Sequence, residues 1–284
     1  NHFGTHCGLA AICALAVTLS ILPATAPRAS WRRILSAIAG QEGRYPLAAA
    51  FAAALITVGL LLTLSRGAIA ASLIAIAAML YTRKPKRTVF VLLAAGAIFA
   101  IILAVVGPGP IIREYQSSFT APETRLLAWR HATAAIADFP ATGCGLFCFD
   151  WAFGPRKTDP RLFGRWAAAH NDFLGSLIEG GPLYLISLLA AVIFSLVSFC
   201  RLLRSERYHT RAAAAAAISS TLLLLLHSTV DFPLHVPSVA VLYAAIVGSA
   251  FGLIDRREKV PDRPARRWFI FALPLLLGLS LIHI

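Results

Sequence analysis

An all-α fold, a polytopic transmembrane helical bundle, is the class this sequence predicts, on three observations. Of its 284 residues, 58% are hydrophobic and only 14% charged, where a water-soluble domain carries about 25% charged residues. Mean hydropathy is +0.74. The apolar residues come in runs of the length that crosses a bilayer as a helix, about 20 residues, and the charges fall in short clusters between those runs.

Eight spans are predicted: 4–26, 46–64, 67–82, 88–106, 173–200, 212–226, 237–254 and 268–284. Span 67–82 is short for the hydrocarbon core, which suits little tilt or a place inside the bundle, and span 173–200 is long enough to start above the membrane. Six successive alanines, Ala212 to Ala217, permit close helix packing. Residues 1–284 read as a single integral membrane domain with one large loop at 107–169 and no repeat of fixed period. The first residue is Asn1 and the last residues still read as helix, so a fragment is expected, with eight spans a lower bound and no recognisable signal peptide.

The net charge of +13 is a topology signal and does not predict a nucleic-acid partner. Basic clusters stand at 28–44, 83–87, 201–211 and 256–267, and eight spans put all four on one side. That side has 18 basic against 5 acidic residues and the other 8 against 8, so the positive-inside rule makes the first side cytoplasmic. Loop 107–169, loop 227–236 and the turn Ser65-Arg66-Gly67 then face outward, with seven of the eight histidines on or near that face. Chemistry is expected there.

Of five cysteines, Cys7, Cys13 and Cys200 lie in apolar runs and read as small buried hydrophobes. Cys144 and Cys148 lie four apart in the outer loop, where an oxidising compartment permits a disulfide. A zinc site needs further ligands at metal-like spacing; neither metal nor cofactor is predicted.

A connection of this length is usually functional or disordered, and loop 107–169 carries folding signals. Thr120-Ala121-Pro122-Glu123 reads as a capping box that starts a helix over about 122–138, ending before Pro140. Arg125 and Trp129 share one face of it, with Arg130 and His131 beside them. Two readings stay open: an interfacial helix anchored by Trp129 and Trp151 with its basic residues on lipid phosphate, or Arg125 and Arg130 binding a particular phosphate.

Three further places concentrate polar groups. Arg66 separates two apolar runs, where an arginine either marks a binding site or snorkels to the headgroups. In "AAHNDFLGSLIEGG", His170, Asn171, Asp172 and Glu179 crowd the start of a long apolar run. Asn171 or Asp172 suits a helix cap, which leaves His170 and Glu179 without a role. In "HSTVDFPLHVP", His227, Asp231 and His235 are spaced by four, but Pro233 interrupts any helix that would align them as metal ligands.

Together these segments resemble the O-antigen ligase superfamily. "NHFG" (1–4) looks like its Asn-x-Asn-His-Phe-Ala stretch, "SRGAIAA" (65–71) like its Ser-Arg-Gly helix start, and "ETRLLAWRHATAAIADFPATGCGLFCF" (123–149) like its Arg-x-x-x-Trp helix and glycine turn. "HNDFLGSLIEGGPLYL" (170–185) is similar to the ligase motif, with Tyr184 standing where the motif prefers Gly, Thr or Val, and "HSTVDFPLHVP" to the penultimate polar loop. The resemblance implies an inverting glycosyltransferase, with no cofactor, at the periplasmic face of the bacterial inner membrane. Its donor would be a glycan on undecaprenyl diphosphate, and its acceptor the lipid A core, another glycan or a protein hydroxyl, among membrane lipids.

The residue chemistry is compatible with that implication. A diphosphate leaving group needs fixed positive charge, which Arg66, Arg125 and Arg130 would supply. An acceptor hydroxyl needs a base tunable near neutrality, and His170 fits. Trp129, Asn171, Asp172, His227 and Asp231 are the candidate substrate-binding residues. A ligase, an O-antigen or exopolysaccharide polymerase and a protein O-oligosaccharyltransferase share this donor and differ by acceptor. A polysaccharide transporter is a different class, and would instead place broken or charged helices at the membrane midplane.

Overall fold

The computed structural model describes residues 2–21, 55–63, 65–81 and 120–255, and all regular structure among them is helical. The predicted spans 88–106 and 268–284 lie outside these residues. The helices are α1 (His2–Ile21), a helical stretch at 55–62, α2 (Arg66–Tyr81), α3 (Thr120–Ala132), α4 (Ala134–Asp138), α5 (Phe149–Phe153), α6 (Asp172–Leu202), α7 (Tyr208–Ser228) and α8 (Pro237–Asp255). Among the described residues, α6 and the Thr210–Ser228 part of α7 are long and apolar enough to cross a membrane. Gly4–Cys13, α2 and Pro237–Gly252 are shorter apolar helices. The described residues thus contain two helices of spanning length, and several of the eight predicted spans run wholly or partly outside those residues.

The chain divides into two compact units. The first comprises Asn1–Ile102, Ser195–Leu223 and Leu242–Glu258. In it, α1 and α2 meet through small residues. A Cβ on Gly4 would collide with Ala68, and one on Gly8 with Ser72 and Leu223. Small residues four apart on both helices let the backbones approach, which is how apolar helices gain contact without a hydrophobic drive between them. Elsewhere in this unit Ala214 and Ala217 pack with Phe199, Leu202 and Ala250, so part of the alanine run serves the close packing its composition permits. Thr221 Oγ1 donates to the Ala217 carbonyl at 2.8 Å and lies 2.9 Å from the Tyr243 hydroxyl.

The second unit comprises Leu103–Phe194, Leu224–Val241 and Lys259–Ile284. Its segment 120–169 has its own core: Ala128, Ala132, Ala135, Phe149, Ala152, Phe153 and Leu162, closed by Ala169 and by Ile178 of α6. The helix expected over 122–138 is broken in two at Thr133, whose hydroxyl donates to the Arg130 carbonyl at 2.8 Å. Side-chain bonding of this kind competes with the helix ladder. The proposed Thr120/Glu123 cap falls on side chains outside the described ones. Asp150 ties α5 to the segment 157–166, accepting from Lys157 Nζ at 3.2 Å and from the Trp166 N–H at 3.3 Å, and Arg156 pairs with Asp138.

Within α6 the helical path is interrupted at Gly181 (φ 73°, ψ 178°), just before Pro182. Proline has no N–H and disfavours helical geometry in the residue before it, so the Ile178 carbonyl loses its helical donor. Turn 143–149 supplies the replacement: Cys144 N–H donates to the Ile178 carbonyl and Gly145 N–H to that of Glu179, both at 2.9 Å. The close fit needs glycine on both sides. A Cβ on Gly143 would meet the Glu179–Gly180 backbone, and one on Gly181 the Ala141 carbonyl. Cys144 and Cys148 pair as a disulfide within the docked turn.

Candidate active site

Helix α3 presents Arg125 and Trp129 on one face, as the spacing of four predicts. Trp129 Nε1–H donates to the Ala169 carbonyl at 2.7 Å, and Arg125 Nη1 to the Val230 carbonyl at 2.9 Å. One helix thus holds the residue before His170 and the residue before Asp231. Trp129 in this position braces the site from within. Arg130 is exposed on the same helix.

Between those two contacts His170 Nδ1 lies 3.3 Å from Asp231 Oδ1. Asp231 is buried and its Oδ1 also accepts the Phe232 N–H at 3.0 Å, while His227 Nε2 stands 3.7 Å from Oδ2. Burial pushes the Asp231 carboxyl up, and the bond with His170 and the neighbouring His227 pull it the other way. A charged acceptor on Nδ1 assigns the proton to that nitrogen and leaves Nε2 as the basic atom. The His170 ring sits edge to face with Phe232 (4.8 Å between centroids) and Trp166 (5.9 Å), and its side chain is 33% exposed. Its backbone is left-handed (φ 51°), a strained state that non-glycine residues adopt mainly where the surroundings enforce it.

Asn171 is the cap of α6. Its Oδ1 accepts the N–H groups of Phe173 and Leu174, both at 3.0 Å, and its Nδ2 donates to the Thr229 carbonyl at 3.2 Å. Asp172 is buried and fully engaged, accepting from Ser228 Oγ at 2.6 Å, Leu234 N–H at 3.1 Å and His235 Nδ1 at 2.6 Å. These bonds sew the start of α6 to the 228–235 loop and fix His170 and Asp231 against each other. Arg66 opens α2 in the first unit and is exposed there.

Two residues without a predicted role complete the arrangement. Glu179, buried, accepts the N–H groups of Phe147 (3.1 Å) and Phe149 (3.3 Å), and its Oε2 lies 3.6 Å from His235 Nε2. His235 therefore does not align with His227 and Asp231; it stands between Asp172 and Glu179. Burial alone would lower its pKa, but the hydrogen bonds and charges of the two carboxylates win and push it up to about 10. It is a fixed imidazolium at neutral pH. A histidine carried by the Pro233 turn into reach of two buried acids is a pairing that linear spacing does not display.

Residues 51–189 match the family model described as O-antigen ligase. No curated protein matches the chain. The matched stretch holds Arg66, Arg125, Trp129, Arg130, His170, Asn171, Asp172 and Glu179, while His227, Asp231 and His235 lie beyond it. The family covers O-antigen ligases and related polymerases, membrane-integral enzymes of glycosyltransferase type. The stretches 65–71, 123–149 and 170–185 that carry the resemblance all fall inside the match, so just under half of the chain is similar to the O-antigen ligase family.

Proposed function

We propose that the protein is a membrane glycosyltransferase that moves a glycan from undecaprenyl diphosphate to an acceptor hydroxyl at the periplasmic face, as in O-antigen ligation. The observation that carries this reading is the His170–Asp231 pair at 3.3 Å, braced by Arg125 and Trp129 inside the family-matched stretch and its neighbouring loop. In the reaction, the acceptor oxygen bonds to the anomeric carbon while His170 Nε2 takes the hydroxyl proton. The bond from that carbon to the diphosphate oxygen breaks, and undecaprenyl diphosphate leaves as the anion with the bonding pair. Asp231 keeps the imidazole oriented and stabilises the imidazolium that forms. Arg125 spends one donor on Val230 and retains others for phosphate oxygens; Arg66 and Arg130 are the further candidate cations. A polymerase would use the same step on a different acceptor.

The test is complementation. The gene is deleted, full-length variants are expressed, and surface polysaccharide is separated on gels. His170→Ala should lower transfer by about 10²–10⁴-fold, the range of a lost general base. Normal glycan with His170→Ala correctly inserted would end the proposal. In the deleted strain, long chains accumulating on undecaprenyl diphosphate indicate a ligase, and single repeats a polymerase.

A further inference from the structure

Phe147 is placed where stability gives no reason for it. It occupies the third position of the turn Gly145–Cys148, closed by the Cys148 N–H to Gly145 carbonyl bond at 3.2 Å, and its backbone is left-handed at φ 62°. That position normally takes glycine, because an L side chain there is strained. Burial does not offset the strain, since Phe147 is 50% exposed. Yet the turn is held firmly. Its backbone is gripped by Glu179 and by the carbonyls of the α6 kink, and the Cys144–Cys148 disulfide closes it.

The held ring continues a row of aromatic groups that leads to the candidate base. Phe147 meets His235 edge to face (6.4 Å between centroids, 83°), His235 meets Phe232 (6.4 Å), and Phe232 meets His170 (4.8 Å). Phe147, His235 and His170 all reach the surface along this row, with His235 23% exposed. We propose that Phe147 is a specificity-determining residue, a stacking platform for a pyranose ring of the glycan that reacts at His170. A pyranose presents polarised C–H groups on one face, and these pack on the electron-rich face of an aromatic ring. Edge-to-face contact with His235 leaves a face of Phe147 open for this. The inference rests on the glycosyltransferase reading.

The experiment uses the full chain in nanodiscs with undecaprenyl-diphosphate-linked glycan and core lipid A, both extracted from cells that lack the gene. Donor and acceptor are varied separately in transfer assays, and donor binding is read independently by quenching of tryptophan fluorescence. Phe147→Leu keeps an apolar side chain but removes the ring, and Phe147→Gly suits the left-handed backbone and so preserves the fold. Both should raise the half-saturating concentration of one substrate by about 10-fold, a factor of ten being about 1.4 kcal/mol, with the maximal rate retained. Phe147→Trp should stay near wild type. The substrate whose saturation shifts identifies whether donor or acceptor sugar is stacked. Phe147→Leu indistinguishable from wild type would assign the ring to lipid contact and overturn the inference, as would unchanged saturation in all three variants. Failure of the underlying reading looks different: His170→Ala would then transfer glycan at the wild-type rate.

Discussion

At the scale of single residues, the surroundings of His235 hold its charge firmly. Its ring nitrogens face Asp172 at 2.6 Å and Glu179 at 3.6 Å, and its pKa stands at about 10 against an ordinary 6.5. A pKa raised in the folded state contributes stability that is fully present below about 6.5 and is lost as pH rises through about 10. The protein should therefore melt at progressively lower temperature as pH climbs across that window. His235→Leu leaves two buried carboxylates without their cation, so it should melt below wild type at pH 7, and the two curves should converge toward pH 10. Thermal unfolding in detergent over pH 6–10 reads the difference, which cancels other groups that titrate there. Parallel curves with a constant gap would show that His235 is not held as an imidazolium.

At the scale of elements, the kink in α6 and the turn that docks on it form one device. Pro182 takes a donor away from the Ile178 carbonyl, Gly181 adopts the left-handed backbone, and the N–H groups of Cys144 and Gly145 fill the gap. Gly181→Ala adds left-handed strain and drives a methyl group into the Ala141 carbonyl, for a combined cost of about 2–4 kcal/mol. Amide exchange at Cys144 and Gly145 should quicken and the melting temperature fall; if neither moves, the docking of turn on kink is wrong. Much of this framework is legible in the sequence. The capped start of α6 follows from Asn171, the shared face of Arg125 and Trp129 from their spacing, and the end of α4 from Pro140. What the sequence hides is the partner whenever the partner is backbone. Glu179 binds two N–H groups some 30 residues earlier, and Arg125 and Trp129 bind carbonyls, which every residue possesses and no motif marks. His235 is hidden for a related reason: its spacing from His227 and Asp231 suggests one cluster, while the turn at Pro233 delivers it to another.

At the scale of the whole molecule, the charge pattern and the helices make a joint statement about sidedness. The limb of α6 after its kink, 182–202, has 21 residues, about 30 Å of helix and hence the thickness of the hydrocarbon core. It runs from the site residues at its start toward the basic stretch Arg201, Arg204, Arg207 and Arg211, and α7 returns from that stretch to His227. On the proposed topology, with 201–211 in the cytoplasm by the positive-inside rule, His170 lies outside it, in a compartment that would let the Cys144–Cys148 disulfide persist. Alkaline phosphatase, active only where its own disulfides form, reports this directly. Fused after Asp159 it should be active, and fused after Glu206 inactive, with a fluorescent protein that folds only in the cytoplasm giving the opposite pattern. The reverse result would put the His170–Asp231 pair in the reducing compartment, where a donor presented at the periplasmic face cannot reach it. The proposed reaction would then fail on access alone, whatever the chemistry of its residues.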